Sequence, residues 1–198
     1  MKILIDNGHA RDTIGKRSPD RTFFEWKFNR IIAIGIVDEL QKRGYDAERI
    51  VLEDDYDVSL AMRVKRVNKI CGEVGKKNVI FISIHANAAS HGEWKSARGF
   101  TAHVAKNASK ESKELARTIY DEAVVRGYKG NRCVPKEHYW SNNFYILKNT
   151  ICPAVLTENL FYDNKEDLAI LKSEFGQKDI IDMHVTAIIE YLKKAQKK

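Results

Sequence analysis

The chain has 198 residues, 43% of them hydrophobic and 31% charged, with eleven glycines and three prolines. That composition excludes a disordered or collagen-like chain, and no apolar run approaches the ~20 residues that span a bilayer. A net charge of +7 and a pI of about 9.2 point to a polyanionic partner or to a solvated lysine-rich surface.

Residues 2–6, KILID, form a short apolar run stopped by the turn signal NGH. That pattern predicts a first strand, not a signal peptide. Residues 10–22 read as a polar loop. From Glu25 to Arg43 the apolar spacing is helical, and Gly44 supplies the stop. ERIVLE, 48–53, predicts a second strand. Ser59 can cap a helix in which Leu60, Val64, Val67 and Cys71 share one face. NVIFISIHAN, 78–87, is the clearest buried strand, and GFTAHVA, 99–105, predicts another. A helix follows over 110–126, then an irregular polar stretch over 127–143. FYILK and AVLTEN predict two more strands joined by NTICP. Asn164 and Asp167 cap a short helix, and 178–194 form a final amphipathic helix running into KKAQKK. Strands alternate with helices, and several strands are apolar throughout. This predicts an α/β, three-layer sandwich: a mostly parallel central sheet with helices on both faces. One domain over 1–198 is expected. Cys71, Cys133 and Cys152 are scattered and odd in number, so they read as reduced structural thiols.

Three ionisable residues end apolar strands: His9 after ILIDNG, His85 after FISI and Glu158 after AVLT. Each alone suits an ordinary turn. Together they suit a crevice beyond the carboxyl ends of parallel strands. Two imidazoles and a carboxylate match a catalytic zinc site, with three protein ligands and one open position. Two carboxylates compete for the third place. Glu158 is one; Glu25 is the other, although at a helix start it equally suits the helix dipole. His91, His103, His138 and His184 are competing ligands, His184 being placed mid-helix. Asp6 or Asn7 could orient His9.

The blocks ILIDNGH, FEWKFN, DVSLAMRVKRVN, FISIHANAA and PAVLTENLFYDN resemble, in order, those of zinc-dependent N-acetylmuramoyl-L-alanine amidases of the amidase-3 group. The resemblance runs from Lys2 to about Leu171. It implies Zn²⁺ held by His9, Glu25 and His85, with Glu158 as the catalytic carboxylate. It implies hydrolysis of the amide between N-acetylmuramic acid and L-alanine in peptidoglycan. Another zinc peptidase acting on stem peptides is the alternative, and a silent wall-binding module a third reading. Asn87, Arg132, His138 and Asn143 are expected to line the substrate groove. The expected partner is peptidoglycan, not nucleic acid, because no aromatic-interleaved basic motif is present. A monomer without a membrane span is expected. With no signal peptide read in the chain, synthesis in the cytoplasm and action at the bacterial cell wall are expected, as a phage or prophage lysin or a host autolysin.

Overall fold

A computed structural model describes residues 1–196. Six strands, β1 (Lys2–Asn7), β2 (Ala47–Arg49), β3 (Val79–Asn87), β4 (Thr101–Ala105), β5 (Trp140–Asn142) and β6 (Ala154–Phe161), form one sheet in the order β2-β1-β3-β6-β4-β5. β2, β1, β3 and β6 run parallel; β4 is antiparallel to β6 and parallel to β5. The expected mostly parallel sandwich is therefore present.

Its layers follow from side-chain alternation. Ile3, Ile5, Ile80, Ile82 and Ile84 face α1 (Glu25–Lys42), α3 (Lys110–Val125) and α6 (Glu174–Gln196). Leu4, Val79 and Phe81 face α2 (Leu60–Val74) and α4 (Tyr145–Asn149). The central strands are thus buried on both faces, and each such side chain contributes roughly 1.5–3 kcal/mol. α5 (Lys165–Lys172) is capped by Asn164, whose side chain accepts from Glu166 N and Asp167 N. Ser59 caps α2 by accepting from Met62 N. Val64, Val67 and Cys71 are buried as expected, while Leu60 is exposed.

Four expectations are corrected. FYILK is not a strand. Phe144 precedes the one-turn helix α4, where Asn149 Nδ2 donates to Tyr145 O and Thr150 Oγ1 to Ile146 O. The irregular stretch contains β5, which pairs with the free edge of β4. The second strand stops at Arg49, because Glu53 turns to Arg66 and the Glu53 carbonyl accepts from Arg30. The last helix begins at Glu174, not 178. Gly176 resembles a stop signal, but it is a close-approach glycine: a Cβ there would lie 2.2 Å from Ile170 O.

β6 carries a bulge. His85 pairs with Glu158, but Asn87 pairs with Phe161, so β6 spends one extra residue. Leu160, inside this step, has φ 63° although it is not glycine.

Candidate metal centre and active site

β1, β3 and β6 end side by side, and their terminal residues converge. Beyond β1 the chain turns sharply at His9, whose φ of 64° is left-handed. Such a backbone costs on the order of 1–3 kcal/mol and needs external support. Arg30 of α1 supplies it, donating from Nη1 to His9 O at 2.8 Å. Ala10 N donates to Thr13 Oγ1 at 3.0 Å and closes the turn.

Glu25 opens α1 and is 1% exposed. Its Oε1 lies 3.1 Å from His85 Nδ1 and 3.4 Å from His9 Nε2. Its Oε2 is buried with no hydrogen-bond partner. The donor atoms of His9, Glu25 and His85 all lie within 4.8 Å of one another. Tetrahedral zinc ligands at bond lengths of about 2.0–2.1 Å stand about 3.3 Å apart. Two of the three separations already have that value, and the donor set is the borderline-soft kind that suits zinc. Oε2 accepts no hydrogen bond, with Lys16 Nζ standing 3.9 Å away, so it adds lone pairs open to a metal. The residues therefore fit the metal.

Burial opposes ionisation of Glu25, but the His85 hydrogen bond and the His9 and His85 charges outweigh it, holding its carboxyl below the ordinary value. Glu158 responds in the opposite direction. It lies across from His85 in the sheet, and its buried Oε2 has no partner. Burial first, then the Glu25 charge, pushes its carboxyl up to about 8. Two carboxyls with opposite shifts in one site are a pattern for separate charge-holding and proton-carrying roles. Asn159 Nδ2 donates to His85 O at 2.8 Å and fixes the end of β3 against β6.

Two determinants were missed in the sequence. Gly8 is one: a Cβ there would stand 2.0 Å from His85 Cε1, so the ring occupies the space that only glycine leaves. A glycine directly before a candidate ligand is the available signal. Asp57 is the other. Its Oδ2 lies 3.7 Å from His9 Nδ1 and accepts from Thr13 Oγ1 at 2.7 Å. Its Oδ1 accepts from Arg63 Nη2 at 2.8 Å. His9, then Thr13 and Arg63, hold the Asp57 carboxyl well below the usual carboxylate range. Neither Asp6 nor Asn7 takes this place. Asp6 accepts from Arg63 Nη1 and Ser83 Oγ, and the Asn7 side chain has no hydrogen-bond partner among the described residues. A cavity of about 430 Å³ opens beside the centre, between Gly8, His9, Asp57, Leu60 and His85.

The other histidines are placed elsewhere. His184 bonds Ile180 O and Thr157 Oγ1 in the core. His91 is exposed in its loop. His103 is held between Thr101 Oγ1 at 2.8 Å and Asn142 Nδ2 at 2.9 Å; burial, then the Arg132 and His85 charges, pushes it down to about 4. Of the expected groove residues, Asn87 caps its own turn by accepting from Ala88 N. Arg132 lies over the Phe161 ring at 5.4 Å. His138 bonds Asp121 on α3, and Asn143 is exposed. None of these four has a hydrogen bond to the side chains of His9, Glu25 or His85 among the described residues.

The sequence profile of the amidase-3 family, described as N-acetylmuramoyl-L-alanine amidase, matches residues 3–190. The chain belongs to that amidase family. Among curated relatives, the endolysin of Bacillus phage SPP1 is 29% identical over 156 residues, covering 77% of this chain and 52% of the endolysin. The chain thus spans about half the length of that relative. The crystal structure of N-acetylmuramoyl-L-alanine amidase from Clostridium difficile 630 is 26% identical, with a TM-score of 0.81 over 97% of this chain and 96% of that one. The amidase Ami1 from Mycobacterium smegmatis is 17% identical, with a TM-score of 0.85 over 98% and 97%, a likeness of fold.

Proposed function

We propose that this amidase-family chain is a zinc-dependent hydrolase of the amide between N-acetylmuramic acid and L-alanine in peptidoglycan, acting at the bacterial cell wall as one catalytic domain. The observation that carries the reading is the converged His9, Glu25 and His85 donor set beside Glu158, whose buried Oε2 has no hydrogen-bond partner. Zinc, when bound by His9, Glu25 and His85, supplies Lewis-acid polarisation of the scissile carbonyl and of the attacking water. Glu25 contributes the charge that a dication needs in a buried place. Glu158 is the proton carrier. As carboxylate it takes a proton from the water; as acid it delivers that proton to the departing alanine nitrogen. A carboxyl pushed up to about 8 is well matched to this second task near neutral pH. Asp57, gripped by Arg63, holds the Nδ1 side of His9 so that Nε2 faces Glu25. Asn87, Arg132, His138 and Asn143 are assigned to the more distant glycan and stem-peptide groove.

Mass spectrometry of purified peptidoglycan after digestion, with and without a chelator, tests the reading. The expected product is intact stem peptide with a free N-terminal alanine, lost on chelation. Cuts within the stem peptide, or chelator-insensitive release, would overturn it.

A further inference from the structure

A cavity of about 500 Å³ opens at the far end of the sheet from His85, where Lys76 and Lys77 lead into β3 and Pro153 leads into β6. Lys76, Lys77 and Lys148 line it together with one carboxylate, Glu111. Cys152 forms part of its wall and is 5% exposed. Behind it lies Cys71 of α2, also buried in the same apolar cluster. The two thiols belong to one buried cluster, and each perturbs the ionisation of the other.

Asn68, one turn before Cys71, enforces the pairing. Its Nδ2 donates to Asn149 O at 2.9 Å, and its Oδ1 accepts from Ile151 N at 3.1 Å. The backbone entering Cys152 is thereby fixed against the stretch of α2 that bears Cys71. The third thiol, Cys133, is exposed and belongs to a different part of the chain.

We propose that Cys71 and Cys152 are a disulfide-forming pair, oxidised through this lysine-lined cavity by a small anionic disulfide. Cys152, as thiolate, attacks one sulfur of the oxidant RS–SR; the S–S bond breaks, a mixed disulfide forms and one RS⁻ leaves. Cys71, as thiolate, then attacks Cys152 Sγ, forming the internal bond and expelling the second RS⁻. Two protein thiols give up two protons and two electrons, and the oxidant leaves as two RSH. Burial raises both thiols, so the exchange is slow in the folded protein. The lysines concentrate an anionic oxidant, and the neighbouring thiol makes the second step intramolecular. The bond would tie α2, which carries Arg63, to the bend that leads into β6, which carries Glu158. It does not depend on the proposed function, although an extracellular target would place the chain where such bonds persist.

The test uses the full chain with Cys133→Ser, exposed to oxidised glutathione without denaturant. Intact mass should fall by two hydrogens, and a non-reducing peptide map should join the Cys71 and Cys152 peptides. Closing a loop of this length should raise Tm by about 10 °C, reversibly with reductant. Adding Cys71→Ser should trap a glutathione mixed disulfide on Cys152. Lys76→Glu, Lys77→Glu and Lys148→Glu together should slow oxidation by oxidised glutathione several-fold and leave oxidation by neutral hydroxyethyl disulfide unchanged. Two thiols still titratable after prolonged exposure, or a cross-link formed only in denaturant, would overturn the proposal.

Discussion

Alanine at position 8 should dismantle the metal centre without altering any donor. The new Cβ would stand 2.0 Å from His85 Cε1, 2.4 Å from Nε2 and 2.5 Å from Nδ1. Carbon atoms settle about 3.5–4.0 Å apart, so the ring must retreat by roughly 1.5 Å. Metal–ligand distances tolerate only about 0.2 Å, so His85 ceases to be a ligand. Loss of a mere supporting partner typically costs 10- to 100-fold in affinity; loss of the ligand itself should cost more than about 100-fold. The overpacked site should also lose about 1–3 kcal/mol of metal-free stability. Gly72→Ala is the control. Nothing lies within 4 Å of its added Cβ, and it sits inside α2. It should stabilise by up to about 1 kcal/mol and leave zinc binding unchanged. Competition against a chromogenic chelator and thermal melting in EDTA give both quantities. A Gly8→Ala protein that binds zinc as tightly as the parent would show that the ring has room this geometry denies.

Glu158→Gln should keep zinc and lower peptide release by at least about 10²-fold, since general acid–base work is lost and no ligand is; near-parental turnover in a peptide-release assay would remove Glu158 from the mechanism. Asp57→Asn should weaken zinc binding by roughly 10- to 100-fold in the same chelator competition, with Arg63 still donating to Asp6 and to the Val58 carbonyl. Metal-free protein should lose stability as pH rises from about 5 to 8: Glu158 is raised to about 8, so the native state holds a proton that the unfolded chain has released. The slope should approach about 1.4 kcal/mol per pH unit at most and flatten in Glu158→Gln, as read by denaturant melts across pH in EDTA.

The sheet was legible wherever burial on both faces left a continuous apolar run, as in β3, because that pattern needs no knowledge of neighbours. The residues of the candidate metal centre were legible as a group for a related reason: His9, Glu25 and His85 sit at element boundaries, where an ionisable side chain breaks an apolar pattern. What stayed hidden was set by distant partners. FYILK has strand-forming residues, yet it is wound into a helix whose end is clamped by Asn68 from α2. Trp140–Asn142 has no alternation to read and is a strand only because β4 offers it an edge. Gly8 looks like a turn glycine until the His85 ring is placed over it. Asp57 reads as one acid among several in LEDDYD, and only Arg63 and His9 single it out.

The extra residue in β6 makes this part of the chain sensitive to length more than to side-chain identity. Glu158 stands opposite His85 in the regular register, the next residue, Asn159, reaches the His85 carbonyl, and Phe161 meets Asn87 one residue later than strict pairing would have it. Beyond the bulge the chain keeps its β3 partners, and the Asp163 carboxylate reaches Ala89 N and Ser90 N, the amides just after β3. Deleting one residue between Glu158 and Phe161 would leave Phe161 opposite Asn87 in unbroken register, and the slack that lets Asn159 turn to the His85 carbonyl would be lost. A further insertion would instead carry Asp163 past the amides it holds, so the step tolerates a change of side chain at Leu160 better than a change of length.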